Sequence, residues 1–281
     1  MPRVASFSGA GRVRTITSRQ NPGVQAFREL LRKRKPGDTR VLIDGWHLLI
    51  EAQQAGVPIE RAAFTTDLLD TKETANAARG LADAGVEVIA VSGPVMEALS
   101  PVRTPSGVVA IGRRETVGLE AVFSPFPQLV LLAVDVQDPG NLGAIIRAAE
   151  AAGATGVVAC GASTDPLGWK ALRGSMGSAF RLPVARASID AAMQAARASR
   201  VQVLATVPRV GQPLFDTDLR RPTALLLGGE GSGLSLGLLQ QADGLLSIPM
   251  RAPVESLNVA VAAALMLYEA ARQRASVPST K

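Results

Sequence analysis

The sequence of 281 residues contains one cysteine and one histidine, and aromatic residues make up only 4% of it. The single cysteine, Cys160, excludes a disulfide bond within the chain and indicates a reducing, cytoplasmic location. Cys160 ends a predicted strand, so it is interpreted as a core residue. The single histidine, His47, has no second His or Cys to accompany it, so we expect no zinc site and assign His47 no catalytic role.

Long hydrophobic runs are also missing. The longest run, residues 259–268, has about ten residues, whereas a helix that crosses a bilayer needs roughly 20. Residues 1–20 are polar and basic and contain no apolar stretch, which argues against a signal peptide. We therefore expect a soluble protein without a membrane partner.

The positive charge of the chain is concentrated at its N-terminal end. Residues 1–40 contain ten Lys or Arg and two acidic residues, a balance of +8. Because the whole chain carries +6, the other 241 residues carry −2. A basic segment of this kind suits contacts with phosphate groups of a nucleic acid, although a solvated tail without a partner has the same composition.

The first part of the chain is predicted to form a small α/β domain. Residues 1–14 are predicted to be a disordered basic tail, and helix and strand patterns alternate over residues 15–112. The predicted helices cover 22–35, 46–55, 71–84 and a turn at 94–99, and the predicted strands cover 41–43, 61–66, 86–91 and 107–111. Residues 113–128 carry two prolines and no clear period, so they are predicted to be a linker.

The second part, residues 129–281, is predicted to be a mainly parallel sheet with helices on both faces. The predicted strands cover 129–134, 155–159, 201–205, 223–227 and 244–248. The predicted helices cover 141–152, 188–198, 234–241 and 256–274. No internal repeat and no low-complexity tract interrupts this series.

The first of three motifs in this part spans residues 135–147 and joins a predicted strand to a predicted helix. Ligands bind to α/β sheets at the carboxyl ends of the strands, where this motif lies. Asn141 falls at the predicted helix N-cap, and Arg147 follows six residues later beside small residues, from which it can reach back over the strand ends. The alternative is a capping Asn and a surface Arg without a catalytic role.

The second motif, residues 225–234, is an apolar strand that leads into a glycine-rich turn. Its glycines permit a positive φ and a close approach of a ligand to the backbone. No dinucleotide fingerprint of the form G-x-G-x-x-G fits residues 228–237, and Glu230 would repel a pyrophosphate. The turn therefore suits a nucleoside without phosphates better than NAD, unless it is only a tight structural turn.

The third motif, residues 248–258, precedes an alanine-rich helix. Ser256 is predicted to be the N-cap of that helix, with Leu257 and Asn258 in its first turn. Polar residues next to such an apolar helix indicate a packed site, and the alternative is a helix cap and nothing more.

Together the three motifs resemble those of the SpoU family of RNA ribose methyltransferases, also called the TrmH family, within the SPOUT class. The matching residues are Asn141, Gly143, Arg147, Gly228, Glu230, Ile248, Pro249, Met250, Ser256, Leu257, Asn258 and Val259. An element with Arg173, Ser175 and Gly177 is similar to the substrate-side segment of that family. Residues 15–112 resemble the L30e-like RNA-binding domain that often precedes it, with Ile43-Asp44-Gly45 in place of the more usual Glu-Gly pair.

This resemblance implies a parallel sheet with a deep trefoil knot, a homodimer, and S-adenosylmethionine as the only cofactor, without a metal. The cofactor pocket is then formed by Thr206, Gly228, Ile248, Met250 and Leu257. Arg147 is expected to act at the 2′-hydroxyl of a ribose, and because Arg rarely loses its proton we expect it to orient the oxygen and stabilise developing negative charge. The residues expected to hold Arg147 and the ribose are Asn141, Glu230, Ser256 and Asn258.

The resemblance also implies a structured RNA substrate, with ribosomal RNA favoured over transfer RNA. Arg173 is expected to contact an RNA phosphate outside the catalytic pocket. The basic cluster expected to help position the RNA consists of Arg28, Arg32, Lys33, Arg34, Lys35 and Arg40. The alternatives are a catalytically silent RNA-binding protein on the same scaffold and a nicotinamide-dependent oxidoreductase.

Overall fold

The structure, a computed structural model, describes residues 14–31, 34, 37–231 and 233–275. The chain divides into two compact units, Met1–Glu115 and Thr116–Lys281. The predicted tail, residues 1–14, lies outside the described residues except for Arg14, which begins a strand instead.

Within its described residues, the first unit contains a mixed five-stranded sheet in the order β1-β4-β3-β5-β2. Its strands are β1 (Arg14–Ile16), β2 (Arg40–Asp44), β3 (Ile59–Thr65), β4 (Glu87–Val91) and β5 (Val108–Arg113). Its helices are α1 (Pro22–Leu30), α2 (Trp46–Gln54), α3 (Thr66–Leu69), α4 (Lys72–Asp83) and α5 (Gly93–Leu99). The β1–β4 and β3–β4 pairs are parallel, and the pairs that include β5 are antiparallel. The small α/β domain predicted for this region is therefore present.

Helix α1 ends at Leu30, five residues before the predicted end at residue 35. The helix begins at Pro22, as predicted, and Asn21 caps it: its side chain accepts a hydrogen bond from the backbone N–H of Gly23 over 2.9 Å. Of the residues predicted to continue the helix, Leu31 and Arg34 are not helical, and residues 32, 33 and 35 lie outside the described residues. Consecutive cations over residues 32–35 and the proline at position 36 disfavour a longer helix.

The second unit contains, among its described residues, a seven-stranded sheet in the order β10-β12-β9-β11-β6-β7-β8. Its strands are β6 (Leu129–Val134), β7 (Gly156–Cys160), β8 (Val184–Ala187), β9 (Gln202–Thr206), β10 (Gln212–Pro213), β11 (Thr223–Gly228) and β12 (Gly244–Ser247). Its α-helices are α6 (Leu119–Phe123), α7 (Pro139–Ala151), α8 (Trp169–Ser175), α9 (Ser178–Arg181), α10 (Ile189–Ala198), α11 (Leu236–Gln241) and α12 (Val259–Ala275). Every strand pair is parallel, which confirms the predicted parallel sheet.

Strand β6 lies inside this sheet between β11 and β7, and all six of its residues are buried. Such an unbroken apolar run is typical of a parallel strand that is covered on both faces. On one face Val130 and Leu132 pack with Met193 of α10, while α12 packs against α7 and β11. Cys160 is fully buried in the same core cluster as Val130, which confirms its interpretation as a core residue.

The segment predicted as a linker, residues 113–128, is divided between the units, and the prediction was wrong for residues 116–128. Val122 and Phe123 of α6 are buried in the core of the second unit, and Val117 donates a backbone hydrogen bond to Val184 over 2.9 Å. The second unit therefore begins at Thr116, and the prolines that indicated a linker follow helix α6 instead of opening a flexible segment.

Short elements were missed by sequence reasoning, namely β1, β8, β10, α3, α6, α8 and α9. Each has seven residues or fewer, too few for an apolar pattern to repeat often enough to be recognised. Helix α8 also contains Gly174 and ends where Met176 takes a left-handed conformation, which the apolar pattern does not reveal.

Candidate active site

The candidate site lies at the carboxyl edge of the seven-stranded sheet. Because β6, β9, β11 and β12 are parallel, the turns that follow them meet at one edge. The three motifs occupy these turns: the first follows β6, the second follows β11, and the third follows β12.

The first motif places Asn141 inside helix α7 and not at its N-cap, as was predicted. Asp138 caps the helix, since its carboxylate accepts a hydrogen bond from the backbone N–H of Asn141 over 2.7 Å. Pro139 takes the first helical position, where its missing N–H costs nothing. The side chain of Asn141 is therefore free of the capping role and points to other partners.

The second motif packs its backbone closely against the first. A Cβ at position 229 would overlap the carbonyl group of Asp135, so only glycine fits there. A Cβ at position 228 would lie 2.6 Å from the carbonyl carbon of Gly233, within the same turn. This close packing brings Glu230 next to the start of α7.

The third motif also differs from the predicted capping pattern. Helix α12 begins at Val259, and Asn258 caps it by accepting hydrogen bonds from the N–H groups of Ala260 and Val261 over 2.9 and 3.3 Å. Ser256 and Leu257 lie before the helix in an exposed segment. The prediction of Ser256 as the cap was wrong by two residues, because Ser and Asn are equally suited to that position.

The side chains of Asn258, Asn141 and Glu230 form one hydrogen-bonded chain. The amide nitrogen Nδ2 of Asn258 donates to Oδ1 of Asn141 over 3.0 Å. The Nδ2 of Asn141 in turn donates to Oε1 of Glu230. This chain links all three motifs, one residue from each.

A cavity of about 430 Å³ lies beside the hydrogen-bonded side chains of Asn258 and Glu230. It is lined by all five residues predicted to bind a cofactor: Thr206, Gly228, Ile248, Met250 and Leu257. Glu230, Ser256 and Asn258 line it as well. Its size is typical of sites for small molecules, and its walls combine apolar side chains with the open backbone of several glycines.

Two predicted catalytic residues, Asn141 and Arg147, do not line the cavity. Asn141 is hydrogen-bonded to Asn258 and Glu230, which do line it, whereas Arg147 is bonded to neither of them. Arg147 lies on α7, is exposed, and has no hydrogen bond or ion pair to any of the described residues. Arg173 is exposed on α8. Sequence reasoning missed Asp135 and Asp138, although Pro139 directly after Asp138 is a signal for a helix start that could have identified the cap.

The basic cluster predicted in the first unit is described only in part. Arg32, Lys33 and Lys35 lie outside the described residues. Arg28 and Arg34, together with Arg19, line a cleft of about 870 Å³. Arg40 lines the cleft too, but the charge of its guanidinium is compensated by Asp38 at 2.8 Å. The hydrogen bond from Arg40 lowers the pKa of Asp38 to about 2, so this pair stays charged across the physiological range.

No helix in the part of the chain that the structure describes is long and apolar enough to cross a membrane. The described residues also contain no group of three or more His, Cys, Asp or Glu residues that could hold a metal ion.

Family models match both units of the chain. Residues 128–268 match the model of the SpoU rRNA methylase family, and residues 21–110 match the model of the MRM3-like substrate binding domain.

Similar proteins match over nearly the whole length of the chain. An uncharacterised tRNA/rRNA methyltransferase of Synechocystis is 36% identical over 95% of this chain and 97% of its own. The 23S rRNA (guanosine(2553)-2′-O)-methyltransferase RlmP of Bacillus subtilis is 32% identical over 91% of this chain and 98% of its own. Among solved structures, an AdoMet-bound rRNA methyltransferase from Sinorhizobium meliloti has a TM-score of 0.84 at 32% identity and covers 93% of this chain and 98% of its own.

Proposed function

Because the chain belongs to the SpoU rRNA methylase family, we propose that it transfers a methyl group from S-adenosylmethionine to a ribose 2′-hydroxyl in ribosomal RNA. The observation that carries this proposal is the convergence of Asn258, Asn141 and Glu230 beside a cavity lined by all five expected cofactor residues. The ribose 2′-hydroxyl and 23S rRNA are proposed as the target because relatives such as RlmP of Bacillus subtilis are 23S rRNA 2′-O-methyltransferases.

The cavity fits S-adenosylmethionine, which supplies a methyl group activated by its sulfonium. The apolar side chains of Ile248, Met250 and Leu257 suit the adenosine, and Thr206 offers a hydroxyl. Gly231 and Gly233 line the same cavity with positive φ angles of 98° and 63°, and a Cβ at either position would meet no atom within 4 Å. Their backbone groups are thus accessible to the polar part of a ligand.

The polar residues at this edge are assigned the task of placing the ribose oxygen. An in-line displacement requires the attacking oxygen to be aligned with the methyl carbon, and this alignment supplies much of the rate enhancement. We propose that the hydrogen-bonded side chains of Asn258, Asn141 and Glu230 orient the ribose, together with Ser256. Arg147 keeps its proton and stabilises the negative charge that develops on the oxygen, while water or an RNA phosphate accepts the proton.

A homodimer accounts for the position of Arg147 outside the cavity of one protomer. Helix α12 exposes an apolar stripe of Val261, Leu265 and Tyr268, which are 50, 44 and 56% exposed. These residues follow one another at spacings of four and three, so they share one face of the helix. Helix α12 packs against α7, which carries Arg147, and we propose that a second copy bound to this stripe completes the site around that arginine.

The oligomeric state can be measured by light scattering with size exclusion. The wild-type protein is expected at twice the chain mass of 29.2 kDa. Leu265→Asp places a charge in the stripe and is expected to give a monomer. Leu236→Asp alters an equally apolar exposed residue on α11 and is expected to leave the dimer intact; a dimeric Leu265→Asp protein contradicts this interface.

The trefoil knot is also a proposal. It is supported by the path of residues 248–258. They leave β12, pass the ends of β9 and β11, and reach Asn141 in the segment that follows β6, after which α12 packs against α7 and β11. The test is a crystal structure in which the chain between residues 206 and 259 is traced, since an unthreaded path contradicts the knot.

The first unit is proposed to bind the structured RNA before methyl transfer. The match to a substrate binding domain and the cleft lined by Arg19, Arg28 and Arg34 support this role. As an enzyme that modifies ribosomal RNA, the protein is proposed to act in the cytoplasm. Transfer RNA as the substrate, or RNA binding without catalysis, are the alternatives.

Two measurements test the proposed function. Calorimetry is expected to detect binding of S-adenosylmethionine and no binding of NAD, and the reverse result contradicts the assignment. Mapping of ribose methylation in total RNA, with and without the gene, is expected to lose one site in ribosomal RNA. Loss of a site in transfer RNA supports the first alternative, and no change in any RNA supports the second.

A further inference from the structure

Asp135, the residue that follows β6, adopts a backbone conformation that L-amino acids rarely take. Its φ is 56°, and it shares a positive φ with only three other non-glycine residues among those described: Met176, Arg200 and Val210. Asp tolerates this left-handed region better than most residues, but the conformation is still disfavoured and needs support from its surroundings.

We propose that Asp135 is a positioning residue for methyl transfer, because it fixes the turn after β6 where Glu230 can meet Asn141. This inference rests on the proposed function, since it concerns the same site. Asp135 neither lines the cavity nor belongs to the hydrogen-bonded chain of Asn258, Asn141 and Glu230.

The turn after β7 supports Asp135 on one side. The carboxylate oxygen Oδ1 of Asp135 accepts a hydrogen bond from the backbone N–H of Ala162 over 2.6 Å, and its own N–H donates to Cys160 over 3.2 Å. Ser163 strengthens the same junction: its hydroxyl accepts from the N–H of Val136 over 3.0 Å and donates to Ala133 over 2.9 Å. The left-handed turn is thus bonded to its neighbour by both its side chain and its backbone.

The turn after β11 presses against Asp135 on the other side. The Asp135 carbonyl lies so close to Gly229 that a Cβ there would overlap it. Gly229 also donates its N–H to the carbonyl of Val134 over 2.7 Å. The next residue is Glu230, so the direction of the Asp135 carbonyl determines where Glu230 begins.

Asp135 also determines where Asn141 begins. Only two residues separate it from Asp138, which caps α7 at the N–H of Asn141. In an ordinary right-handed or extended conformation, residue 135 would turn its carbonyl away from Gly229. The segment between residue 135 and α7 would then also take a different path. Both ends of the Asn141–Glu230 bond would then shift, which is why this one residue controls their contact.

Three substitutions separate the two contributions of Asp135. Asp135→Ala removes the carboxylate and disfavours the left-handed conformation. Asp135→Asn keeps an acceptor oxygen and tolerates that conformation, and Asp135→Gly adopts the conformation freely without a side chain. We expect kcat to fall at least about tenfold in the Ala variant, with KM for both substrates within about threefold, and to recover to within about threefold of wild type in the Asn and Gly variants.

Asp243→Ala is the matched control. Asp243 also accepts a backbone hydrogen bond, from Val203 over 2.7 Å, but at the opposite edge of the sheet. It is expected to lose stability without losing kcat per folded molecule. The proposal is overturned if Asp135→Ala keeps the wild-type kcat, or if neither Asp135→Asn nor Asp135→Gly restores a lost kcat. An equal fall of kcat in Asp243→Ala also overturns it.

A readout that needs no RNA separates this proposal from the proposed function. The side-chain amide of Asn141, assigned in an NMR spectrum by its absence in Asn141→Asp, is expected to be protected from hydrogen exchange because it donates to Glu230. Protection is expected in wild type, Asp135→Asn, Asp135→Gly and Asp243→Ala, and its loss in Asp135→Ala. Retained protection in Asp135→Ala overturns the positioning role even if the protein methylates no RNA at all.

Discussion

The side-chain amide of Asn258 donates a hydrogen bond to Oδ1 of Asn141 over 3.0 Å, although 117 residues separate the two in sequence. The direction of this bond is fixed, because the Oδ1 of Asn258 already caps helix α12 and leaves only its Nδ2 for Asn141. Asn141 must therefore accept from Asn258 and donate to Glu230. One polar chain thus orients a carboxylate at the wall of the cavity.

Asn258→Asp tests the direction of this chain. Asp keeps a capping oxygen for α12 but replaces the donating amide with a carboxylate that repels Oδ1 of Asn141. We expect kcat to fall by about 10- to 100-fold, as for the loss of a hydrogen bond to a charged group, with little change in thermal stability. Steady-state kinetics and thermal unfolding measure the two effects, and an unchanged kcat contradicts the role of the chain.

Arg147→Ala tests the catalytic assignment. Because Arg147 is exposed and has no bond to any described residue, its loss is expected to change the free energy of unfolding by less than about 0.5 kcal/mol. Its kcat is expected to fall by about 10²- to 10³-fold, with the affinity for S-adenosylmethionine unchanged. Arg181→Ala is the control. Arg181 lies on α9 and forms an ion pair with Glu150 of α7, the helix that carries Arg147, and its loss is expected to leave the activity unchanged. Near-normal turnover in folded Arg147→Ala removes this residue from the mechanism.

The basic cluster of the first unit is expected to determine the salt dependence of RNA binding. Neutralising Arg28, Arg32, Lys33 and Lys35 together should reduce the slope of log K against log salt by up to about three, since each lost phosphate contact contributes about 0.7–0.9. The affinity for S-adenosylmethionine should not change. Neutralising Arg40 alone should alter the slope less than neutralising Arg28 alone, because Asp38 already compensates Arg40. An unchanged slope in the fourfold variant means that the cluster is only solvated.

Arg274 is expected to be important for stability and not for catalysis. Near the end of α12, its guanidinium donates to the carbonyls of Leu219, Pro127, Gln128 and Arg221 over 2.8–3.2 Å. Burial lowers the pKa of this arginine, yet Arg stays charged in proteins, so the four carbonyls replace its water shell.

Arg274→Ala leaves those carbonyls without their donor and is expected to lower the free energy of unfolding by about 2–4 kcal/mol in denaturant titrations. Arg220→Ala breaks an exposed ion pair with Asp218 and should lower the free energy of unfolding much less, because solvent screens the pair. Equal effects of the two substitutions would refute the special role of Arg274.

Cys160 provides a probe of unfolding. Its thiol is completely buried, and burial, with a smaller effect of the nearby Asp135 carboxylate, raises its pKa to about 12. Only about 10⁻⁴ or less of such a thiol is ionised near neutral pH, so thiol reagents are expected to label the native protein only as fast as it unfolds. Rapid stoichiometric labelling of the native protein would contradict the buried position.

Of the seven strands that the structure describes in the second unit, five, namely β6, β7, β9, β11 and β12, were predicted because each contains a run of apolar residues. Strand β6, for example, was predicted with both of its observed ends, since every residue from 129 to 134 is apolar and buried. All five residues predicted to bind the cofactor line the cavity, because they lie at the carboxyl ends of parallel strands or in the segments that follow them; that they bind the cofactor stays a prediction.

Other features of the site depend on tertiary contacts that no local pattern records. The caps of α7 and α12 were assigned to the wrong residues because several good capping residues stand close together in each motif, and packing selects one of them. The left-handed turn at Asp135 depends on Ala162 and Gly229, which are distant in sequence. The exposed position of Arg147 likewise could not be inferred from its spacing to Asn141.

The position of the transferred methyl group shows whether the protein methylates a ribose 2′-hydroxyl of ribosomal RNA. The protein would be incubated with ribosomal RNA and S-adenosylmethionine that carries a deuterated methyl group, and the RNA would be digested to nucleosides for mass spectrometry. One nucleoside is expected to carry the label on the 2′-oxygen of its ribose fragment. A label on a base, or no label in any RNA with a protein that binds the cofactor, would contradict this expectation.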